Sequence, residues 1–140
     1  MGLTALLNLD HRGASGAEPD SGDGAGILLQ VPDRFLRRVI DAELPPAGEY
    51  AIGMAFLPDD DDVARATQVR IEQIAREEGL DVIAWRDVPT NPSSLGHTAR
   101  SVMPRFSHLV VRSAGEPLSG IDLERRAYCL RKRAEHETDV

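Results

Sequence analysis

A single cysteine among 140 residues leaves no partner for an internal disulfide and points to a reducing, cytoplasmic setting. No second cysteine is available to a zinc site either, and His11, His97, His108 and His136 fall at no metal-ligand spacing. Positive charge is also short: 16 basic against 23 acidic residues give a net charge of -7, which repels nucleic-acid phosphates. No apolar run approaches the length that spans a bilayer. The start has no basic stretch followed by an apolar one, so no secretory leader is read. The acidic run at residues 59–62 lacks the glycine and glutamate pattern of a calcium loop and reads instead as a helix-capping turn. There is no internal repeat and no low-complexity tract.

What remains is an ordinary composition, 41% hydrophobic and 28% charged, in a chain long enough for one packed domain. Leu3, Leu6 and Leu7 repeat at helical spacing and predict a helix up to Asp10, stopped by the glycines at 13 and 16. The chain thus opens inside a helix, with little capping signal at Met1, as a piece cut from a longer protein would. Residues 26–31 read as a buried strand, and Pro32 suits a helix start. Phe35, Leu36, Val39 and Ile40 then form an apolar helix face. The Pro45-Pro46 turn is the one clear break in composition. From Tyr50 the residues alternate, with Tyr50, Ile52, Met54 and Phe56 on one face and Ala51, Gly53 and Ala55 on the other, a small face against which a helix can pack closely. A helix follows through Val63, Thr67, Ile71, Ile74 and Ala75 with Gly79 as its C-cap. Strands are predicted over residues 80–88 and 106–112. A last amphipathic helix from about Asp122 turns Leu123, Ala127, Leu130 and Ala134 inward. On pattern alone this alternation suggests an α/β domain.

Two glycine-dense segments lie close together near the start: His11-Arg12-Gly13-Ala14 and Gly22-Asp23-Gly24-Ala25-Gly26-Ile27. The second resembles a phosphate cradle only in composition. A dinucleotide fingerprint has a strand before its glycines and a helix after them, and here the order is reversed. Read alone, the loop is a tight turn bringing backbone close to neighbouring chain, and Arg12 is an arginine at a helix C-terminus, where it complements the dipole. Cys129 sits near Arg125, Lys132 and Arg133, which could activate a thiol, but it reads first as a small residue flanking a helix's apolar face.

Together the two segments resemble the glutamine amidotransferase domain at the front of the glutamate synthase large subunit. The similarity continues through Trp85-Arg86-Asp87-Val88-Pro89-Thr90-Asn91, Ser94-Leu95-Gly96 and Leu123-Glu124-Arg125-Arg126-Ala127-Tyr128, covering nearly the whole chain. The resemblance implies an α+β fold: a piece of the four-layer αββα N-terminal-nucleophile hydrolase architecture with an inserted α/β elaboration. It divides the chain into the front of the hydrolase core without its nucleophile strand (residues 1–44), a glutamate-synthase-type elaboration (45–120) and a returning core helix (121–140).

The same resemblance gives Arg12 and Gly13 a place beside the nucleophilic cysteine, and makes Asp23, Gly24 and Gly26 part of the wall of the glutamine pocket. The family's nucleophile is an N-terminal cysteine, which this chain, beginning Met1-Gly2-Leu3, does not contain. Nor does it contain the Asn-Gly pair that the family uses for its oxyanion hole, since Asn8 and Asn91 precede Leu9 and Pro92. The implied role is therefore that of a piece of a glutamine-dependent glutamate synthase, inactive alone, whose domain hydrolyses glutamine to glutamate and ammonia for transfer to 2-oxoglutarate. The alternative is a non-catalytic amidotransferase-like binding or regulatory module. No cofactor is expected in these residues. The full-length family protein carries FMN and an iron–sulfur cluster, and its partners are the rest of the large subunit and a small NAD(P)H-oxidising subunit.

Overall fold

In a computed structural model the described residues are Thr4, Leu7, Asn8 and 29–138. Thr4, Leu7 and Asn8 are helical, in keeping with the predicted first helix. The chain divides into two compact units, Met1–Val31 with Thr90–Met103, and Pro32–Pro89 with Pro104–Val140. Among the described residues no helix is long and apolar enough to cross a membrane.

The larger unit is built on a three-stranded sheet. Its elements are α1 (Asp33–Val39), β1 (Tyr50–Leu57), α2 (Asp61–Glu77), β2 (Leu80–Asp87), β3 (Arg105–Ser113) and α4 (Gly120–Glu137). The smaller unit contributes a 3-10 turn (Pro92–Ser94) and the short α3 (His97–Ser101). The strand order is β1-β3-β2, and β3 is antiparallel to both neighbours. The α/β class suggested by alternation alone is therefore corrected to α+β: the last strand enters between the first two and runs against them.

Each face of the sheet closes a separate core. On one, Ile71, Ile74 and Ala75 of α2 meet Leu123 and Leu130 of α4 over Leu80 and Val111, with Ala51, Val82 and Trp85 at the margin. The small face of β1 thus takes a helix at Ala51, whereas Gly53 is exposed and a Cβ there would meet nothing within 4 Å. On the other, Leu36, Ile40 and Leu44 cover Tyr50 and Val110, flanked by Ile52, Ile83 and Ala84.

The two faces are kept in register by a β-bulge. Val82 is opposite Val111 and Ala84 opposite Val110, leaving Ile83 as the extra residue. Ile83 and Ala84 consequently share the α1 side, and Trp85 is returned to the α2–α4 side. Strict alternation would place it on the opposite face.

Local chemistry sets the element ends. The Asp60 carboxylate accepts from the amides of Asp62 and Val63, both at 3.0 Å, so the acidic run caps α2 as predicted. Gly79 ends the same helix at φ +71. Asp33, the first residue of α1, accepts from Arg37 and from the Tyr50 hydroxyl at 3.0 Å. Arg37 also donates to the Leu44 carbonyl at 2.9 Å and to that of Pro45, pinning the turn after α1.

Three packing expectations are corrected. Phe35 is 51% exposed and Val63 48%, because the α1 and α2 surfaces that meet the sheet are centred on Leu36 and Ile40 and on Ala64, Thr67, Ile71 and Ile74. The strand predicted over residues 26–31 is not formed over its described part, 29–31, where Leu29 and Val31 are exposed and no neighbouring strand pairs with the backbone. Residues 26–28 lie outside the described residues.

Candidate functional site

The sequence singled out Arg12, Gly13, Asp23, Gly24 and Gly26 as site-supporting, and all five lie outside the described residues. The later motif segments are described, and each has a structural task. Trp85 packs in the α2–α4 core while its indole Nε1 donates to Glu72 Oε1 at 3.0 Å, so the bulge that turns the ring inward also satisfies its polar atom. The Asn91 side chain accepts from the amide of Ser93 at 3.1 Å and caps the 3-10 turn. Arg100 gathers that turn, donating to the carbonyls of Pro92 at 2.9 Å and Leu95 at 3.2 Å. In the last segment Leu123 is buried and Arg126 donates to the Glu78 carbonyl at 3.0 Å, where α2 ends.

Arg86 and His108 form a pairing that the sequence does not announce. They are opposite one another on β2 and β3, and only the bulged register brings them to the same face. Arg86 Nη1 lies 3.4 Å from His108 Nδ1, and its Nε donates to the Val39 carbonyl at 3.1 Å. Burial, and secondarily the Arg86 charge, hold the imidazole below its ordinary pKa of 6.5. It is therefore neutral near pH 7, with Nδ1 accepting and Nε2 carrying the proton. Phe106 and Phe56 meet edge-to-face beside it at 5.3 Å.

A cleft of about 570 Å³ opens where the turn after α1 approaches the end of β3. Glu43, Glu49, Asp81 and Arg112 line it, and Arg112 Nε is 3.9 Å from Asp81 Oδ2. The cleft is open to solvent, without the enclosure that lets a site desolvate a ligand. Cys129 is an exposed free thiol on α4, and its cationic neighbours are engaged: Arg125 with Asp122, Lys132 with Glu135, and Arg133 with Glu77, Glu78 and Glu137. Those guanidinium and ammonium groups are partnered by carboxylates, so the electropositive setting that activates a thiol is not built. Among the described residues no group of three or more His, Cys, Asp or Glu is placed to hold a metal ion.

The family model for class-II glutamine amidotransferases matches residues 1–140. The chain belongs to this family. Its amidotransferase relatives include the NADPH glutamate synthase large chain of Bacillus subtilis, 35% identical over 96% of this chain. The NADH glutamate synthase of Schizosaccharomyces pombe is 40% identical over 94%, and a ferredoxin-dependent glutamate synthase of Arabidopsis thaliana 40% over 95%. The chain spans 7–9% of the length of these three proteins. The α+β class with a small antiparallel sheet holds for the described part of this amidotransferase chain.

Proposed function

We propose that the chain is the glutamine-handling part of a glutamine-dependent glutamate synthase, where glutamine is hydrolysed and the ammonia passes on to 2-oxoglutarate. The observation carrying this reading is the family match over residues 1–140, joined to glutamate synthase relatives that align along nearly all of the chain. In this reading the hydrolase core has the four-layer αββα arrangement. Residues 1–44 and 121–140 belong to it, and residues 45–120 are the elaboration.

The chemistry requires a thiolate to attack the side-chain amide carbon of glutamine, a base to take the thiol proton, and donors for the oxyanion that forms. In the N-terminal-nucleophile scheme the base is the cysteine's own α-amine. Cys129 cannot fill that role, since its nitrogen is a non-basic peptide nitrogen within α4. Arg12, with five donors in a fixed fork, suits holding backbone carbonyls beside a nucleophile supplied from outside these residues. Gly13, Asp23, Gly24 and Gly26 would form the adjoining wall. An iron–sulfur cluster does not fit this chain: a cluster takes several cysteine thiolates, and Cys129 is its sole thiol. The cluster, FMN and contact with a small NAD(P)H-oxidising subunit would belong to other parts of a longer cytoplasmic protein.

Ammonia release from glutamine tests this. The 140-residue chain alone is expected to release none. A polypeptide that adds an N-terminal Cys-Gly-Val strand and the remainder of a glutamate synthase should release ammonia and react with a glutamine-analogue alkylator, and Arg12→Ala should lower both. Turnover by the 140-residue chain that disappears in Cys129→Ala would overturn the assignment of the chemistry, and an inert extended polypeptide would overturn the function.

A further inference from the structure

We propose that the outer edge of β1 is a strand-receiving site, filled by an extended stretch of the same polypeptide that leaves α4 and runs antiparallel to β1. The inference comes from topology and is independent of the catalytic reading. β1 and β2 both run against β3, so they are parallel to each other, and α2 carries the chain from one to the other across β3. Such crossovers are right-handed in nearly all proteins. α4 packs on the same side as α2, sharing the core of Ile71, Ile74, Leu123 and Leu130. Because β3 points the opposite way, a return of the same hand through α4 moves the opposite way across the sheet. It leads past β1, whose outer edge pairs with no strand among the described residues.

The position of α4 agrees. It contacts β1 and β3, whereas α2 contacts β2. It starts near the Ser113 end of β3, with Arg126 on the Glu78 carbonyl, and finishes with Glu137 paired to Arg70 in the middle of α2, so it runs back from the end of α2 in the direction of its start. A strand leaving it therefore enters at the Leu57 end of β1 and runs toward Tyr50. At 1.5 Å per residue α4 is about as long as β1 at 3.3 Å per residue.

The edge itself is unguarded. Proteins protect exposed edges with lysine, proline, inward charges or bulges. β1 reads Tyr-Ala-Ile-Gly-Met-Ala-Phe-Leu, with no charge and no proline, and its regular pairing with β3 shows no bulge. On the α1 side of the sheet Met54 is 46% exposed and Phe56 63%, an apolar margin that the alternate side chains of an added strand would cover.

Amide hydrogen exchange resolved by residue tests the site. In the dilute 140-residue chain, the β1 amides pointing away from β3 should exchange at open-edge rates. Appending to Val140 an Asn-Gly turn and an alternating Val/Thr strand of β1's length should slow those amides by about tenfold or more, raise the urea midpoint and leave the protein monomeric. The same extension with a central proline should not protect them. An unbroken strand that leaves exchange unchanged would overturn the proposal. So would outward amides already protected in the dilute parent, which would show the edge covered from within, or protection that grows with concentration, which would assign it to a second copy.

Discussion

Gly79 shows how much one backbone angle can carry. Its φ of +71 is the left-handed turn that ends α2, and a Cβ there would lie 2.2 Å from Arg126 Nη1, which donates to the neighbouring Glu78 carbonyl. Gly79→Ala thus strains the turn and disturbs the group that caps it, and should cost more than about 1 kcal/mol in urea unfolding. Gly53→Ala, whose Cβ would meet nothing within 4 Å, should stay within about 0.5 kcal/mol of the parent. His108 gives a pH signature. Its folded pKa is lowered, so below the unfolded value of 6.5 the unfolded chain binds more protons and stability is lost as pH is lowered. Above that value the effect is absent. His108→Gln should flatten the loss of stability between neutral pH and about pH 5, measured against the parent in matched urea titrations. Gly79 was legible in the sequence because it ends an apolar pattern. The Arg86–His108 pairing was not, because a one-residue slip in strand register decides whether these two side chains meet.

At the scale of elements, the α2–α4 contact is an apolar seam fringed by charge. Arg133 of α4 reaches Glu77 on α2, Glu78 just after it and Glu137 on its own helix, and Arg70 also pairs with Glu137. Hydrogen bonds from Arg133 hold the carboxyls of Glu77 and Glu137 below their ordinary 4.5. Depressed carboxyl values add stability that is present above pH 4.5 and lost as pH falls through the folded values. Arg133→Met should therefore remove part of the acid-side fall in thermal stability, and its destabilisation near pH 7 should shrink as salt is raised. The helix and strand positions of this larger unit were readable from periodicity and end signals, as Asp60 and Gly79 show. Phe35 and Val63 were misplaced because hydrophobicity marks a helix face only to within a residue or so; the sheet beneath selects which side chains it buries. The strand over residues 26–31 was inferred from an apolar run, but a strand also needs a neighbour to pair with, and residues 29–31 have none. The short α3 and the 3-10 turn carried no apolar period, and their stabilising contacts, Asn91 and Arg100 on nearby backbone, are too local to show as one.

For the whole molecule, the family was legible from motifs while the sheet was not, since alternation of strands and helices is shared by parallel and antiparallel sheets and the choice depends on which strands pair. The candidate site divides in the same way. Its five residues belong to the glycine-rich motifs near the start, whereas Trp85, Asn91 and Leu123, equally part of the family resemblance, are packing and capping residues. The order β1-β3-β2 also governs how such a chain can be made. β3 is the middle strand and the last of these three to be translated, and β1 and β2 have no hydrogen bonds to each other, with Tyr50 paired to Arg112 and Leu80 to Ser113. As the polypeptide emerges from a ribosome, the first two strands and the helix between them must wait without a sheet until residues 105–113 arrive. Any pause in synthesis before that point would leave an uncharged, apolar β1 without its β3 partner, the kind of exposed strand that favours aggregation over folding.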